Sequence, residues 1–324
     1  MRSTHARGAL AVAAMLALVG CSGGGGAEVN HSLGDAAIQA ADVAASGGSM
    51  FQEPLDATPS PDGGVIYFTA AAGNGPGIFS VPAGGGNVST VADGAPFVRP
   101  VGVAVGTDGT HVYAADQRVG SIDAPGAILT SAVTTTVSQV ATVLPGTQGR
   151  SPRGLDVVRR DGADVVYFTG TDPATGSSGV FQVPAAGGTV TTVAEGPPFV
   201  SADSVVVTAQ GVAYVTDRGA VPGQGQVIRV SGSTVEPILS SLRVGSPAGI
   251  TLIHNDATLL VSTLDPKTTA DQLTFLDLAS GKTASATKGI GNNINTSGGL
   301  HRASNAEVLA WADTAGQVYR VRTR

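Results

Sequence analysis

The chain holds one cysteine in 324 residues, Cys21, which excludes any intrachain disulfide and any CxxC metal site. Basic residues are scarce too: 18 Lys and Arg stand against 24 Asp and Glu, and no basic stripe occurs. That argues against nucleic acid as a partner. Five histidines are present, in no HxxxH, HExxH or His-x-Glu arrangement, so no zinc constellation is assembled. There is no GxSxG nucleophile elbow. Gly73-Asn-Gly75-Pro-Gly77 is glycine-rich but no helix pattern follows, so it is not a phosphate cradle. The longest signal-like apolar run, Ala9 to Val19, is about eleven residues, where roughly twenty are needed to span a bilayer. Heptads rich in Ala, Glu, Lys, Leu and Arg are missing, which sets helical architectures aside.

What the chain has instead is 46 glycines and 18 prolines bounding short Val- and Thr-rich runs. That is the pattern of many short strands joined by tight turns. Six times a short motif returns, 45 to 52 residues apart: Pro54-Leu-Asp-Ala57, Pro100-Val-Gly-Val103, Pro152-Arg-Gly-Leu155, Ala202-Asp-Ser-Val205, Pro247-Ala-Gly-Ile250 and Ser297-Gly-Gly-Leu300. A period of this length means one supersecondary unit stacked on copies of itself.

Each repeat divides into four strands, A to D. In the second, Val101 to Val105 is A, the Asp108-Gly109 turn leads to B at His111 to Ala115, C is Ala127 to Thr130, and D is Val137 to Val143. Gly77 to Val98 and Gly179 to Val200 are identical at fifteen of twenty-two positions, which confirms the repeat. Four-stranded antiparallel units arranged radially make a β-propeller, so the expected fold is all-β with six blades. The sixth repeat runs out after its C strand. Residues Ala36 to Val43 stand where a D strand would, and are expected to supply the missing outer strand and close the ring.

The order Pro-x-Gly-φ, Asp-Gly, Tyr-φ-x-Asp, Gly-x-φ-φ-x-φ resembles the NHL and SMP-30/gluconolactonase group of six-bladed propellers. Tyr113-Ala-Ala-Asp116, Tyr214-Val-Thr-Asp217 and the run from Trp311 to Val321 carry it best, and it covers roughly residues 50–322. The Val-Pro-Ala-x-Gly-Gly hairpin is similar to TolB-type blades. The resemblance implies that long B-to-C loops and D-to-A entries share one face, and that function belongs there, around the central channel.

Just before or within the six motifs lie Glu53, Arg99, Arg150, Arg153, Asp203, Ser246, Asn295 and Thr296. Glu53, Arg99, Arg153, Asp203 and Asn295 are the candidate binding residues of the channel mouth. In resembling lactonases a metal is held by acidic and amide side chains at these entries, commonly at x of Pro-x-Gly. Here x is Leu55, Val101, Arg153, Asp203, Ala248 and Gly298, of which Asp203 alone is acidic. A hard cation such as Ca²⁺ needs six to eight oxygens, and Glu53, Asp56 and Asp203, with Asn295, offer a partial set. The competing reading is an Arg153–Asp203 ion pair across adjacent blades.

Asp116, Asp217 and Asp313 end B strands and are expected to tie down the loops that follow, accepting backbone N–H bonds. Asp156 falls within an inner strand, in the place held elsewhere by Ala104, Val206, Thr251 and His301. A carboxylate there must be partnered or its pKa will rise. Asp156 and His301 are three blades apart, which argues against a direct dyad.

The N-terminus supplies an address. Arg2, His5 and Arg7 precede the apolar stretch, which ends in Leu18-Val19-Gly20-Cys21. That resembles the bacterial lipobox, and implies cleavage before Cys21 and lipid attachment to it. Removing Arg2 and Arg7 turns the net charge of −6 into −8. Residues 1–20 thus read as signal peptide, 21–35 as a flexible tether, and 36–324 as propeller. About fourteen tether residues place the domain some 20 Å from the anchor. Ser22 is not the aspartate that retains lipoproteins at the inner membrane, so the outer membrane is favoured.

Taken together, the sequence points to a lipid-anchored, extracytoplasmic, non-catalytic binding or scaffold module at a bacterial cell envelope. Its partners would be the membrane, through Cys21, and an envelope protein, peptide or glycan. The alternative is a metal-dependent lactonase or hydrolase of the SMP-30 kind. A quinone-dependent sugar dehydrogenase on the same fold has less support, because no basic or histidine cofactor cluster is visible. No cofactor is called for beyond a divalent cation such as Ca²⁺ in the lactonase reading.

Overall fold

A computed structural model describes residues 38–134, 140–221, 223–287 and 297–323. Cys21, the signal segment, the tether, Asn295 and Thr296 lie outside these residues. The first strand, β1 (Ile38–Ser46), stands apart from the repeat that follows it. Blade 1 is then β2 (Gln52–Pro59), β3 (Val65–Ala71), β4 (Gly77–Pro82) and β5 (Ser89–Asp93). Blade 2 is β6 (Pro100–Val105), β7 (His111–Asp116), β8 (Ala127–Ala132) and β9 (Thr142–Val143). Blade 3 is β10 (Leu155–Arg160), β11 (Ala163–Thr171), β12 (Ser178–Pro184) and β13 (Thr191–Glu195). Blade 4 is β14 (Ala202–Val207), β15 (Ala213–Asp217), β16 (Gly225–Ser231) and β17 (Thr234–Leu242). Blade 5 is β18 (Ile250–Ile253), β19 (Thr258–Leu264), β20 (Asp271–Asp277) and β21 (Thr283–Ala286). Blade 6 takes β22 (Ser297–Arg302), β23 (Leu309–Asp313) and β24 (Gln317–Thr323) from the end of the chain.

Every blade is an antiparallel meander, and the sixth is completed by β1, which pairs with β24. The closing strand predicted at Ala36 to Val43 is therefore present from Ile38 onward, with 36 and 37 outside the described residues. It runs on to Ser46, because Ala45 and Ser46 still pair with Val318 and Gln317. Strand D of blade 2 is shorter than the sequence suggests, Thr142 and Val143 alone, with 135–139 outside the described residues.

Each blade exposes two apolar faces, and the core consists of the seams between neighbours. One seam joins Val101, Tyr113, Ala115 and Ile128 of blade 2 to Leu155, Val166, Phe168 and Phe181 of blade 3. Another joins Trp311, Tyr319 and Val321 of blade 6 to Leu260, Leu273 and Phe275 of blade 5. Fully burying one such side chain is worth about 1.5–3 kcal/mol, so stability is spread around the ring. The seam between blades 6 and 1 includes Ala44 and Ala45 of β1, and so depends on closure.

The glycine of Pro-x-Gly-φ has a geometric cause. A Cβ on Gly102 would stand 2.0 Å from the Arg153 carbonyl oxygen, and one on Gly154 would stand 2.5 Å from Ser204 Cα. Inner strands of successive blades touch here, backbone against backbone. Two expectations follow from these contacts. Gly102→Ala is expected to lose at least about 1–3 kcal/mol in urea unfolding, the usual cost of overpacking. Deleting residues 38–46 should abolish cooperative thermal unfolding of the whole domain; a domain that melts unchanged would show the ring does not need its clasp.

Candidate functional site

An inner strand pairs with strand B along one edge and leaves the other edge facing the channel, with backbone groups to satisfy. Aspartates do part of this work. Asp56 Oδ2 accepts Val103 N–H at 2.8 Å, Asp156 Oδ2 accepts Val207 N–H at 2.7 Å, and Asp203 Oδ2 accepts Ala248 N–H at 2.7 Å. Each bond crosses from one blade to the next. Three of the acidic residues singled out from the sequence are thus interblade staples.

Asp116, Asp217 and Asp313 behave as expected. Asp116, fully buried, accepts the N–H groups of Val98, Arg99 and Arg118. Asp217 accepts those of Val200, Ser201 and Gly219, and Asp313 that of Ala315. Burial raises the Asp116 pKa, against the three amides that favour its ionised form. Asp116 and Asp217 also hold the strand-A entry sixteen to eighteen residues upstream, beyond the loops that follow them. In doing so Asp116 fixes the backbone of Arg99, and Asp217 fixes that of Ser201.

On the loop-rich face the result is a cluster of arginines. Arg153 Nη1 donates to Ser201 Oγ at 2.6 Å, and Arg218 Nη2 donates to the same oxygen at 3.3 Å. Arg218 Nη1 donates to Ser246 Oγ at 2.8 Å. The Arg153–Asp203 pair expected from the sequence is replaced by Arg218–Asp203, Nε to Oδ2 at 3.7 Å. Arg153 Nη1 also donates to the Ala202 carbonyl at 3.4 Å, so its polar contacts are with the residues just before Asp203. Burial lowers the Arg153 pKa, and Arg218 and Arg99 push it the same way against Asp203 and Asp217. Burial raises that of Asp203, against the opposing pull of Arg218 and Arg153. A cavity of about 560 Å³ opens beside them, lined by Ser201, Arg218, Val221, Arg243, Ser246 and Leu264 among others. The basic cluster that the sequence does not show is therefore assembled in space. Arg218 and Arg243 are the residues sequence reasoning missed; the only signal was that Arg218 directly follows the loop-capping Asp217.

The remaining candidates lie elsewhere. Glu53 is exposed beside a cavity at the junction of blades 6 and 1, with Phe51 and Gly316. Asp56 is buried and its Oδ2 lies 3.0 Å from His301 Nε2. Glu53, Asp56 and Asp203 do not converge, and among the described residues no group of three or more His, Cys, Asp or Glu side chains is arranged to hold a metal ion. These residues do not fit a shared Ca²⁺ site.

The channel has a second opening, at the side of the A-to-B turns. There a cavity of about 420 Å³ is walled by Thr58, Ala104, Asp156, Val206, Thr251 and His301, one residue from each inner strand. Asp156 and His301 share this space without touching. Burial works against the His301 imidazolium, but the Asp56 carboxylate, aided by the more distant Asp156, outweighs it and raises the pKa. Burial pushes the Asp156 carboxyl up to about 6 from an ordinary 3.8, against the pull of the Val207 amide and of His301.

No protein-family model matches the chain, and no curated protein matches its sequence. Solved structures do match in shape. The gluconolactonase of Xanthomonas campestris is 15% identical with a TM-score of 0.58, over 91% of this chain and 94% of that one. The PQQ domain of pyranose dehydrogenase from Coprinopsis cinerea is 11% identical with a TM-score of 0.59, over 87% and 95%. A putative TolB from Agrobacterium tumefaciens is 16% identical with a TM-score of 0.54, over 84% and 91%. At these identities the likeness shows the propeller fold alone.

The Asp156 shift has a testable sign. A carboxyl whose folded pKa exceeds its unfolded value binds its proton more tightly when folded, so stability falls as pH rises from about 4 to about 6. Asn at this position keeps an oxygen for Val207 N–H and removes the charge. Asp156→Asn is expected to stabilise the domain by up to about 3 kcal/mol at pH 7.5 and by little at pH 4, read by calorimetry at both.

Proposed function

We propose that this protein is a lipid-anchored, extracytoplasmic binding module of a bacterial cell envelope, and that it holds its ligand on the loop-rich face through the arginine cluster. The observation that supports this reading most is the convergence of Arg153 and Arg218 on one neutral oxygen, Ser201 Oγ. Two guanidiniums so placed repel each other and leave most of their N–H donors unused. An incoming carboxylate would relieve both, since arginine pairs with it bidentately. Arg99 and Arg243 have no protein partner among the described residues and widen the cationic field. Asp203, beneath them, accepts Ala248 N–H and has Arg218 Nε 3.7 Å from the same oxygen. On a chain of net charge −6 this is a local reversal of sign, suited to an envelope protein, peptide or glycan that presents acidic groups.

The anchor rests on the lipobox-like Leu18-Val19-Gly20-Cys21 and the glycine tether behind it. Palmitate labelling of cells is expected to mark the wild-type protein and to vanish with Cys21→Ala; label that persists would overturn the anchor.

For the site, calorimetric titration with an oligoglutamate and an oligogalacturonate tests the acidic ligand. At least one should bind, with affinity falling as salt rises, while neutral maltooligosaccharide and oligolysine should not. The pair Arg153→Ala and Arg218→Ala, at two charge-assisted contacts, should weaken binding at least about tenfold. Binding that ignores both substitutions, or no preference for acidic probes, would overturn the reading.

A further inference from the structure

The turn-side cavity is built from a different set of residues and is unrelated to the arginine cluster. Its six wall positions are structurally equivalent, since Thr58, Ala104, Asp156 and Val206 lie opposite Tyr67, Tyr113, Tyr167 and Tyr214 on their B strands. Thr251 and His301 lie opposite Leu260 and Ala310. Two of these six positions therefore carry a titratable side chain, and they face each other from blades 3 and 6.

The charges around this opening do not balance. Arg159, Arg302 and His301 border it, and each already has a carboxylate within 4 Å. His301 meets Asp56 at 3.0 Å, Arg302 meets Asp256 at 3.0 Å, and Arg159 meets Asp164 at 3.6 Å. Asp156 is left over. Its polar contacts are backbone amides: Val207 N–H at 2.7 Å, and that of Val157. Among the described residues no cation lies within 4 Å of it, yet it lines a space of about 420 Å³, within the range of small-molecule sites. Amides satisfy part of a carboxylate's acceptor capacity but do not neutralise it, and a deeply placed charge without a counter-charge is costly. The rest of the lining includes the small Ala104, the apolar Val206 and Leu252, and the hydroxyls of Thr58 and Thr251, besides the paired Arg159 and Arg302.

We propose that this cavity is a binding site for a small organic cation with N–H donors, a primary ammonium, whose charge rests on the Asp156 carboxylate. The apolar and hydroxyl-bearing walls take the body of the ligand, and its N–H groups replace the water that would otherwise solvate the free oxygen. The His301–Asp56 contact engages the carboxylate of the opposite wall and holds blades 6 and 1 together at the same level. The site takes one positive charge, because of the described carboxylates that line it, Asp156 and Asp256, Asp256 is paired with Arg302 and Asp156 is not paired.

Two isosteric pairs test this by calorimetric titration of the propeller at pH 7.5: ethanolamine against ethylene glycol, and glucosamine against glucose. At least one amine is expected to bind about tenfold or more tightly than its hydroxyl counterpart, since the charge-assisted contact is the only difference. Asp156→Asn, which should fold at least as well as wild type, is expected to remove that preference. Ala104→Leu should block binding by filling the cavity while leaving every charge in place. Equal affinity within both pairs, no binding by either amine at about 10 mM, or an amine preference that survives Asp156→Asn would overturn the proposal.

Discussion

Everything in this molecule depends on how closely the inner strands of neighbouring blades approach. At Gly102 and Gly154 the distance leaves no room for a Cβ, and the same contact recurs where Gly249 meets Leu300 N. Blade 1 breaks the rule by placing Asp56 at the glycine position, and blade 6 makes room with Gly299, where a Cβ would stand 1.7 Å from Asp56 Oδ1. The exchange converts a steric contact into a polar one, because Asp56 now reaches Val103 N–H on one side and His301 on the other. Blade 4 makes a related exchange, with Ser204 at the glycine position and Asp203 before it. A channel lined by strand edges would otherwise present unpaired amides, and the aspartates answer that need locally.

The same staples divide the channel electrostatically. Toward the loops, Asp203 is consumed by Ala248 and Arg218, and arginines are in excess. Toward the turns, cations are consumed in pairs and Asp156 is in excess. One narrow ring thus carries a cationic mouth and an anionic one. The separation is local, since interactions across more than about a Debye length of 8–10 Å are screened at physiological salt for exposed groups. Each mouth is then free to recruit a ligand of its own sign.

Much of this was legible in the sequence, and the pattern of success has a physical reason. The period of the motif, the four-strand unit and the closing strand near residue 40 are set by backbone geometry and apolar alternation, which are written in order along the chain. Asp116 and Asp217 were legible as loop ties because a short side chain at a strand end acts on neighbours in sequence. Arg218 and its serines were not, because they come from separate strand ends, Ser201 before β14, Arg218 after β15 and Ser246 before β18, and meet only in the folded ring. The contact Asp56 makes was hidden for a related reason. Its partner His301 is 245 residues away and becomes a neighbour only when blade 6 closes on blade 1.

Closure therefore does more than protect an edge. Without β1 on β24, blade 6 loses its outer strand and the seam that carries Ala44 and Ala45 against Phe68 and Phe79. If that seam loosens, His301 no longer sits 3.0 Å from Asp56, and the hydrogen-bonded pair of the turn-side wall is broken. A buried pair broken on one side leaves an uncompensated charge, at a cost of about 3–5 kcal/mol. The integrity of the ring and the charge of its turn-side mouth are in this way the same constraint, set by nine residues of β1 that precede the first repeat.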